Sequence, residues 1–131
     1  MYRNIYELCK LSEDKNMPIW QVILENEMSL AGTSEKEIFG ALESRLEVME
    51  ASASKALTRP FETVGCLITG ISSQQYSYAS ERQTVCGSFI NEVMAMALSC
   101  CEINASMGKI CAAPTAGSCG IIPAVLIGMA R

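Results

Sequence analysis

The chain has 131 residues, which is enough for one domain with a hydrophobic core of its own. Half of the residues are hydrophobic, only 18% are charged and the mean hydropathy is +0.23, which favours a buried partner face or membership of a larger protein. The net charge of −4, without any basic cluster, argues against nucleic-acid binding, which needs concentrated lysine and arginine.

The numbers of cysteines and histidines further restrict the kinds of catalytic and metal sites that the chain can form. The seven cysteines are an odd number, and the charged first residues lack a secretory signal, so we expect reduced thiols and a cytoplasmic location. The chain has no histidine, which removes Cys–His nucleophile pairs and mixed Cys/His zinc sites from within it. Because no CxxC unit occurs, the spacing favours neither a zinc knuckle nor a ferredoxin-type cluster, and most thiols are expected to be small buried hydrophobes.

The first part of the chain predicts two helices. Tyr2 to Lys10 is a short amphipathic segment, and the polar residues after it predict a turn. The second helix is predicted from Pro18, which suits a first helical turn, to about Leu30. Gly32 follows as a plausible stop for this helix.

A third, longer helix is predicted from Ser34 to about Leu57. Ser34 and Glu37 form a capping box, in which each side chain pairs with a backbone amide of the other residue. Pro60 ends this helix, because the residue before a proline avoids helical geometry. Its acidic side chains predict a solvated face rather than a catalytic pair.

The middle of the chain predicts a loop and then a central helix. Phe61 to Cys86 is predicted to be irregular, although loops of that length are uncommon unless they are functional or covered. Ser88 is predicted to cap a helix that runs to Ser106 and is apolar on every side, which is typical of a helix central in a core. Glu102 comes too soon for this helix to span a bilayer, and Gly108 is predicted to close it in the left-handed conformation.

The closing segment carries no charge over the 21 residues from Ile110 to Ala130. Pro114 favours extended backbone before it, and one proline with two glycines in "PTAGSCG" predicts a tight loop rather than a helix. A helix is predicted after Gly120, since Pro123 is tolerated only near a first turn. No membrane span is expected, because the centre of the segment is the part least able to be helical. The elements together predict an all-α fold.

The loop of the closing segment is the candidate binding site. A loop that leads into a helix start gathers free backbone amides and the hydroxyls of Thr115 and Ser118 around one point, which suits a small carboxylate or another anion. The alternative is that Thr115 and Ser118 only cap the helix, with the glycines present for close packing. Spacing alone leaves both interpretations open.

The stretch "EINASMGKICAAPTAGSCGIIPAVL" resembles the catalytic-domain signature of iron–sulfur L-serine dehydratases, specifically the alpha chain of the two-chain bacterial type. The resemblance extends upstream through "GSFINEVMAMALSC" and, more loosely, through "PIWQVILENE", "EIFGALESRLEVMEAS" and "KALTRP", so it covers the whole chain. It implies that residues 1–131 are the amino-terminal portion of a larger helical catalytic domain, in which a Pro/Gly-rich substrate loop leads into a final helix.

The resemblance also implies an activity and a cofactor. Members of the family are lyases of serine degradation, which feeds gluconeogenesis, and they convert L-serine to pyruvate and ammonia without pyridoxal phosphate. A [4Fe-4S] cluster with one iron not held by cysteine acts as a Lewis acid on the substrate hydroxyl, while a base takes the α-proton. The implied substrate-binding residues are Thr115, Ala116, Gly117 and Ser118, which would meet the serine carboxylate; no catalytic residue is assigned.

Two departures from the family pattern bear on these implications. The family's cluster cysteines lie downstream of the motif, so Cys111 and Cys119 are not implied ligands, and this chain alone is expected to hold no metal and to be inactive. Where relatives carry "GLTGGDA" and "SGDF", this chain has "GCLITGISSQQ" and "CGSF", without the acidic residue. The implied partners are L-serine, the remainder of the alpha chain, a beta-type subunit or domain and possible further copies in an oligomer, but neither nucleic acid nor membrane.

Two other functions are compatible with parts of the pattern. The chain could be a truncated or diverged non-catalytic paralogue that serves as an interaction or structural module. A thiol-based redox enzyme would need a thiolate-stabilising neighbour, which the vicinal pair Cys100 and Cys101 in a buried helix is not expected to have.

Overall fold

A computed structural model describes residues 2–81 and 83–131 of the chain. Within these residues it contains six α-helices and no strand, which confirms the all-α fold. The chain divides into two compact units, residues 1–44 and 45–131. The helices are α1 (Ile5–Lys15), α2 (Ile19–Ala31), α3 (Glu35–Thr58), α4 (Ile71–Glu81), α5 (Gly87–Ala105) and α6 (Ser118–Ala130).

The first unit holds α1, α2 and the beginning of α3. The polar turn predicted after Lys10 is wrong, because α1 continues to Lys15 and ends at Asn16, which takes the left-handed conformation with φ of 50°. Lys15 forms an ion pair of 2.7 Å with Glu25 of α2. Little of this unit is buried, and Val22 is the one buried residue of α1 and α2.

The end of α2 and the start of α3 lie where the local sequence pattern predicted them. Gly32 closes α2 with φ of 64°, as predicted. The capping box before α3 is confirmed, since the amide of Ser34 donates to Glu37 Oε2 at 2.8 Å and the amide of Glu37 donates to Ser34 Oγ at 3.4 Å. The helix ends at Thr58, just before Pro60, and it is buried only in its last turns.

In the second unit α5 is the central helix, as the sequence predicted. It packs against α4 on one side and α6 on another. Small residues let α6 approach closely: an ideal Cβ on Gly128 would lie 2.6 Å from Val93 Cγ2. The helix begins at Gly87, so Ser88 lies inside it and is not its cap, contrary to prediction. The core residues are Ala53, Leu57, Ala95, Met96, Cys100, Ala124 and Ile127.

The irregular loop predicted for Phe61 to Cys86 is wrong in its second half, where α4 lies. The serines and tyrosines give this segment little helical preference of their own. Its helical form is stabilised by partners distant in sequence: Glu102 accepts a hydrogen bond from the amide of Ser72, and Asn91 Oδ1 accepts one from Gln75 Nε2 at 2.7 Å. Tertiary contacts therefore override the local signal.

The end of α5 differs from prediction in one residue. Met107, with φ of 60°, takes the left-handed conformation that was predicted for Gly108. Gly108 is required for another reason, because an ideal Cβ there would lie 2.8 Å from the carbonyl O of Ile103. Its amide donates to that same oxygen at 2.7 Å.

The final helix starts earlier than the sequence indicated. The segment from Gly108 to Ala113 has no regular structure, and α6 begins at Ser118 rather than after Gly120. Pro123 lies in the second turn of α6. Among the described residues, no helix combines the length and the apolar character that crossing a membrane requires.

Candidate functional site

The candidate site is the turn that leads into α6. Thr115, Ala116 and Gly117 are exposed, and Ser118, the first residue of α6, is half-buried. The turn is connected to the central helix α5 through the irregular segment from Gly108 to Pro114. All four predicted binding residues therefore lie together at the amino-terminal end of one helix, where the helix dipole is positive.

Thr115 stands at the start of the turn and Ser118 at its end, and the two residues are hydrogen-bonded to each other. Ser118 Oγ accepts hydrogen bonds from the amide and the hydroxyl of Thr115, each at 3.0 Å, and it donates to the Thr115 carbonyl O at 2.7 Å. The amide of Ser118 donates to Thr115 Oγ1 at 3.3 Å. This reciprocal pattern resembles a capping box at the turn that precedes α6, although the N-cap residue of the helix itself, Gly117, has no side-chain capping hydrogen bond.

The turn nevertheless retains free donors. Within the described part of the chain, the amides of Ala116 and Gly117 donate no hydrogen bond. Gly117 has φ of −67° and ψ of −34°, and nothing would lie within 4 Å of an ideal Cβ on it, so the space beside the backbone is open. Two exposed amides at a helix start can bind a carboxylate. For the Thr115 hydroxyl to bind the same carboxylate, it would have to rotate away from Ser118 Oγ.

A buried polar cluster lies between α3, α4 and α5, and the sequence analysis did not predict it. Glu102 is only 1% exposed, and its Oε1 accepts hydrogen bonds from the amide of Ser72 at 2.7 Å and from its hydroxyl at 2.9 Å. Ser72 Oγ also lies 2.9 Å from the carbonyl O of Ala56. Glu102 Oε2 is buried without a partner among the described residues. A carboxyl among the apolar residues in the second half of α5 was the signal available in the sequence.

The same end of α5 holds the segment before α4. The amide of Val64 donates to the carbonyl O of Ala105 at 3.0 Å, and Thr63 Oγ1 lies 3.1 Å from Thr69 Oγ1. The carboxyl-terminal turns of α5 thus contact both this segment and, through Glu102, the start of α4. The segment before α4 is therefore attached to the core through the end of α5.

The thiols do not form a metal site within the part of the chain that the structure describes. No three cysteine or acidic side chains there come close enough together to hold an ion. Cys100 is buried and Cys101 exposed, so the two neighbouring thiols lie on different sides of α5. Burial raises the pKa of both thiols above the ordinary value, which opposes a thiolate-based redox centre. The donor set of this chain alone does not fit an iron–sulfur cluster.

Comparison with known proteins gives consistent results over nearly the whole chain. A family model described as the serine dehydratase alpha chain matches residues 14–131. The L-serine dehydratase alpha chain of Peptoniphilus asaccharolyticus is 42% identical over 125 residues, which are 95% of this chain and 42% of the relative. A probable L-serine dehydratase alpha chain of Bacillus subtilis is 33% identical over 129 residues, which are 98% of this chain and 43% of the relative.

A more distant relative extends the same comparison. An L-serine dehydratase of Escherichia coli K12 is 30% identical over 128 residues, which are 92% of this chain and 27% of the relative. The chain therefore spans less than half the length of these curated relatives. No solved structure matches it.

Proposed function

Because the chain belongs to the serine dehydratase alpha-chain family, we propose that it is part of an enzyme that dehydrates L-serine to pyruvate and ammonia in the cytoplasm. Residues 1–131 would form the amino-terminal portion of its helical catalytic domain. The complete enzyme requires the remainder of the alpha chain and a beta-type partner, since this chain spans only 42% of its Peptoniphilus relative. This chain alone is inactive under the proposal.

The proposed role of this chain is to bind the carboxylate of L-serine at the turn before α6. The observation that supports it is the pair of free amides on Ala116 and Gly117 at the positive end of an uncharged helix. Thr115 adds a third donor when its hydroxyl turns from Ser118 to the substrate. Ser118 keeps the turn closed by holding the amide of Thr115.

This arrangement orients the substrate and leaves its hydroxyl and α-carbon facing away from α6. A carboxylate fixed by three donors cannot rotate freely, so the reacting groups are presented in one orientation. A [4Fe-4S] cluster would have to be held by cysteines outside residues 1–131, because the thiols present here do not converge. The part of this chain in the reaction is therefore to bind and orient the substrate.

Gly117→Ala tests this role with little risk to folding. A methyl group there meets no protein atom within 4 Å and the backbone is not left-handed, so stability should be unchanged. A carboxylate seated on the amides would collide with it, and we expect kcat/KM for L-serine to fall about 10- to 100-fold, mainly through KM. The enzyme assayed is an alpha chain in which this stretch replaces the matching Peptoniphilus residues, assembled with its partner chain.

Gly40→Ala is the matched control, because a Cβ at Gly40 also meets nothing within 4 Å but lies in α3. It should leave kcat/KM unchanged. Unchanged kinetics in Gly117→Ala would contradict the proposed carboxylate site.

The alternative function is a non-catalytic interaction module. The exposed apolar side chains of α5 and α6, among them Phe89 and Leu126, give it some support. It predicts that the hybrid enzyme has no serine dehydratase activity even when it is assembled and correctly folded. Measurable turnover by the hybrid would exclude it.

A further inference from the structure

The outer face of α6 is an apolar surface that the described residues of the second unit leave exposed. We define it by its five members, which are 37–71% exposed: Ile121, Ile122, Val125, Leu126 and Met129. They recur at spacings of three and four residues, so they lie on one side of the helix. The opposite side, which includes Gly120, Ala124 and Gly128, is buried.

This face differs from an ordinary exposed helix face. No charged residue occurs in α6, and its exposed positions carry large aliphatic side chains instead of polar ones. A helix that is apolar all round is stable in water only when it is covered on all sides. A contiguous patch of this kind is uncommon on a soluble monomer and marks a contact surface.

We propose that the outer face of α6 is covered by the part of the alpha chain that the curated relatives carry beyond the stretch matched here. More than half of each alpha-chain relative lies outside this match, since the chain spans 42% and 43% of their lengths. That remainder is long enough to supply helices that pack on α6. The outer face of α6 is then an interior helix–helix contact of one domain.

The composition of the face favours this occupant over a protein that binds only transiently. Interfaces between separable proteins are about as polar as the rest of the surface and are ringed by polar residues. All five members of this face are apolar, and the same helix has no charge to form a rim. The packing therefore resembles a domain core from which one layer is absent.

The inference rests on family membership but not on the carboxylate site. Its test reads the accessibility of a side chain rather than serine turnover, so its failure and the failure of the proposed function are distinguishable. Leu126→Cys places a thiol on the face where 51% of the side chain is exposed. Val85→Cys, at a fully exposed position outside every helix, is the matched control.

Both variants are labelled with a maleimide in two proteins, and the modified peptides are quantified by mass spectrometry. The first protein is the 131-residue chain, and the second is the hybrid alpha chain without its partner. Cys at position 126 should react freely in the first protein and at least about tenfold more slowly in the second, because a covered thiol reacts only after local opening. Cys at position 85 should react equally fast in both. Val125→Cys repeats the test should Leu126→Cys fold poorly.

Three results would overturn the inference. Equal labelling of position 126 in both proteins would show that the remainder of the alpha chain does not cover it. Protection that arises only when the partner chain is added would assign the face to a subunit interface. Concentration-dependent protection in the 131-residue chain would assign it to a second copy.

Discussion

The hydroxyl of Ser99 lies between two backbone groups of α3 that a regular helix pairs with each other. Ser99 Oγ donates to the carbonyl O of Ser52 at 2.7 Å and accepts from the amide of Ala56 at 3.1 Å. Both groups lie where α3 is buried, and Ser99 itself is fully buried. These two hydrogen bonds join the buried end of α3 to the central helix α5.

Ser99→Ala should cost only about 0.5–1.5 kcal/mol in the free energy of unfolding, because Ala56 and Ser52 can then pair directly. Ser99→Val should cost more, about 1–3 kcal/mol, since its branched side chain has no space at this position. Urea unfolding of the 131-residue chain, followed by circular dichroism, measures both. Ser77→Ala on the exposed side of α4 is the control and should change little. Equal costs for the two Ser99 variants would contradict the inserted hydroxyl.

Removing the carboxyl of Glu102 should destabilise the second unit. Glu102→Ala leaves the amide of Ser72 without its acceptor in a buried site, which should cost about 2–3 kcal/mol. Glu102→Gln keeps an oxygen that can accept from Ser72, so it should cost clearly less. Urea unfolding measures both, and Glu92→Ala, at the half-buried acidic residue of the same helix, is the control. A Glu102→Ala cost no larger than that of Glu102→Gln would argue against the Ser72 contact.

The close approach of α6 to α5 depends on Gly128. Gly128→Ala should lower stability by about 1–3 kcal/mol, because its methyl would lie 2.6 Å from Val93 Cγ2 and valine is stiff at χ1. Gly40→Ala should have the opposite sign and stabilise α3 by up to about 1 kcal/mol, since it improves helix propensity without any contact. Melting curves of the two variants decide this. A neutral Gly128→Ala would mean that the two helices are not packed as closely as described.

The capping box before α3 predicts a local effect of pH. Hydrogen bonds from the amide and hydroxyl of Ser34 lower the pKa of Glu37 below its ordinary value of 4.5. A lowered folded-state pKa contributes stability above the unfolded-state pKa, and this contribution is lost as the pH falls through the folded-state pKa. The first turn of α3 should therefore fray as the pH falls below the ordinary pKa of a glutamate carboxyl.

An NMR titration of the Ser34 amide in the wild type and in Glu37→Gln measures this effect. The wild-type amide should shift with the Glu37 carboxyl, and the variant should lose that transition. Glu47→Gln, on the exposed part of α3, should leave it unchanged. A Ser34 amide that titrates identically in Glu37→Gln would contradict the capping box.

Features determined by neighbouring residues were predictable from the sequence, and features determined by distant ones were not. The Ser34–Glu37 cap, the stop at Gly32 and the central position of α5 follow from local chemistry and periodicity. The helix α4 was missed because its start depends on Glu102, 30 residues away in the chain. No local pattern reports such a contact.

At the candidate site, too, some features were predictable from the sequence and others were not. The sequence placed Thr115 and Ser118 together at a helix start, and the structure confirms that placement. It also predicted that α6 begins after Gly120, which is wrong, because the Thr115–Ser118 contacts stabilise a helical turn that contains a glycine. The binding role of the turn stays a prediction.

The most direct test of the account is kcat/KM for L-serine of Thr115→Val in the hybrid enzyme assembled with its partner chain. The substitution keeps the shape of the side chain and removes the hydroxyl that would bind the carboxylate. Loss of one charge-assisted hydrogen bond costs about 1.5–3 kcal/mol, so kcat/KM should fall roughly 10- to 150-fold. An unchanged kcat/KM, with only a lower melting temperature, would show that Thr115 caps α6 and does not bind the substrate.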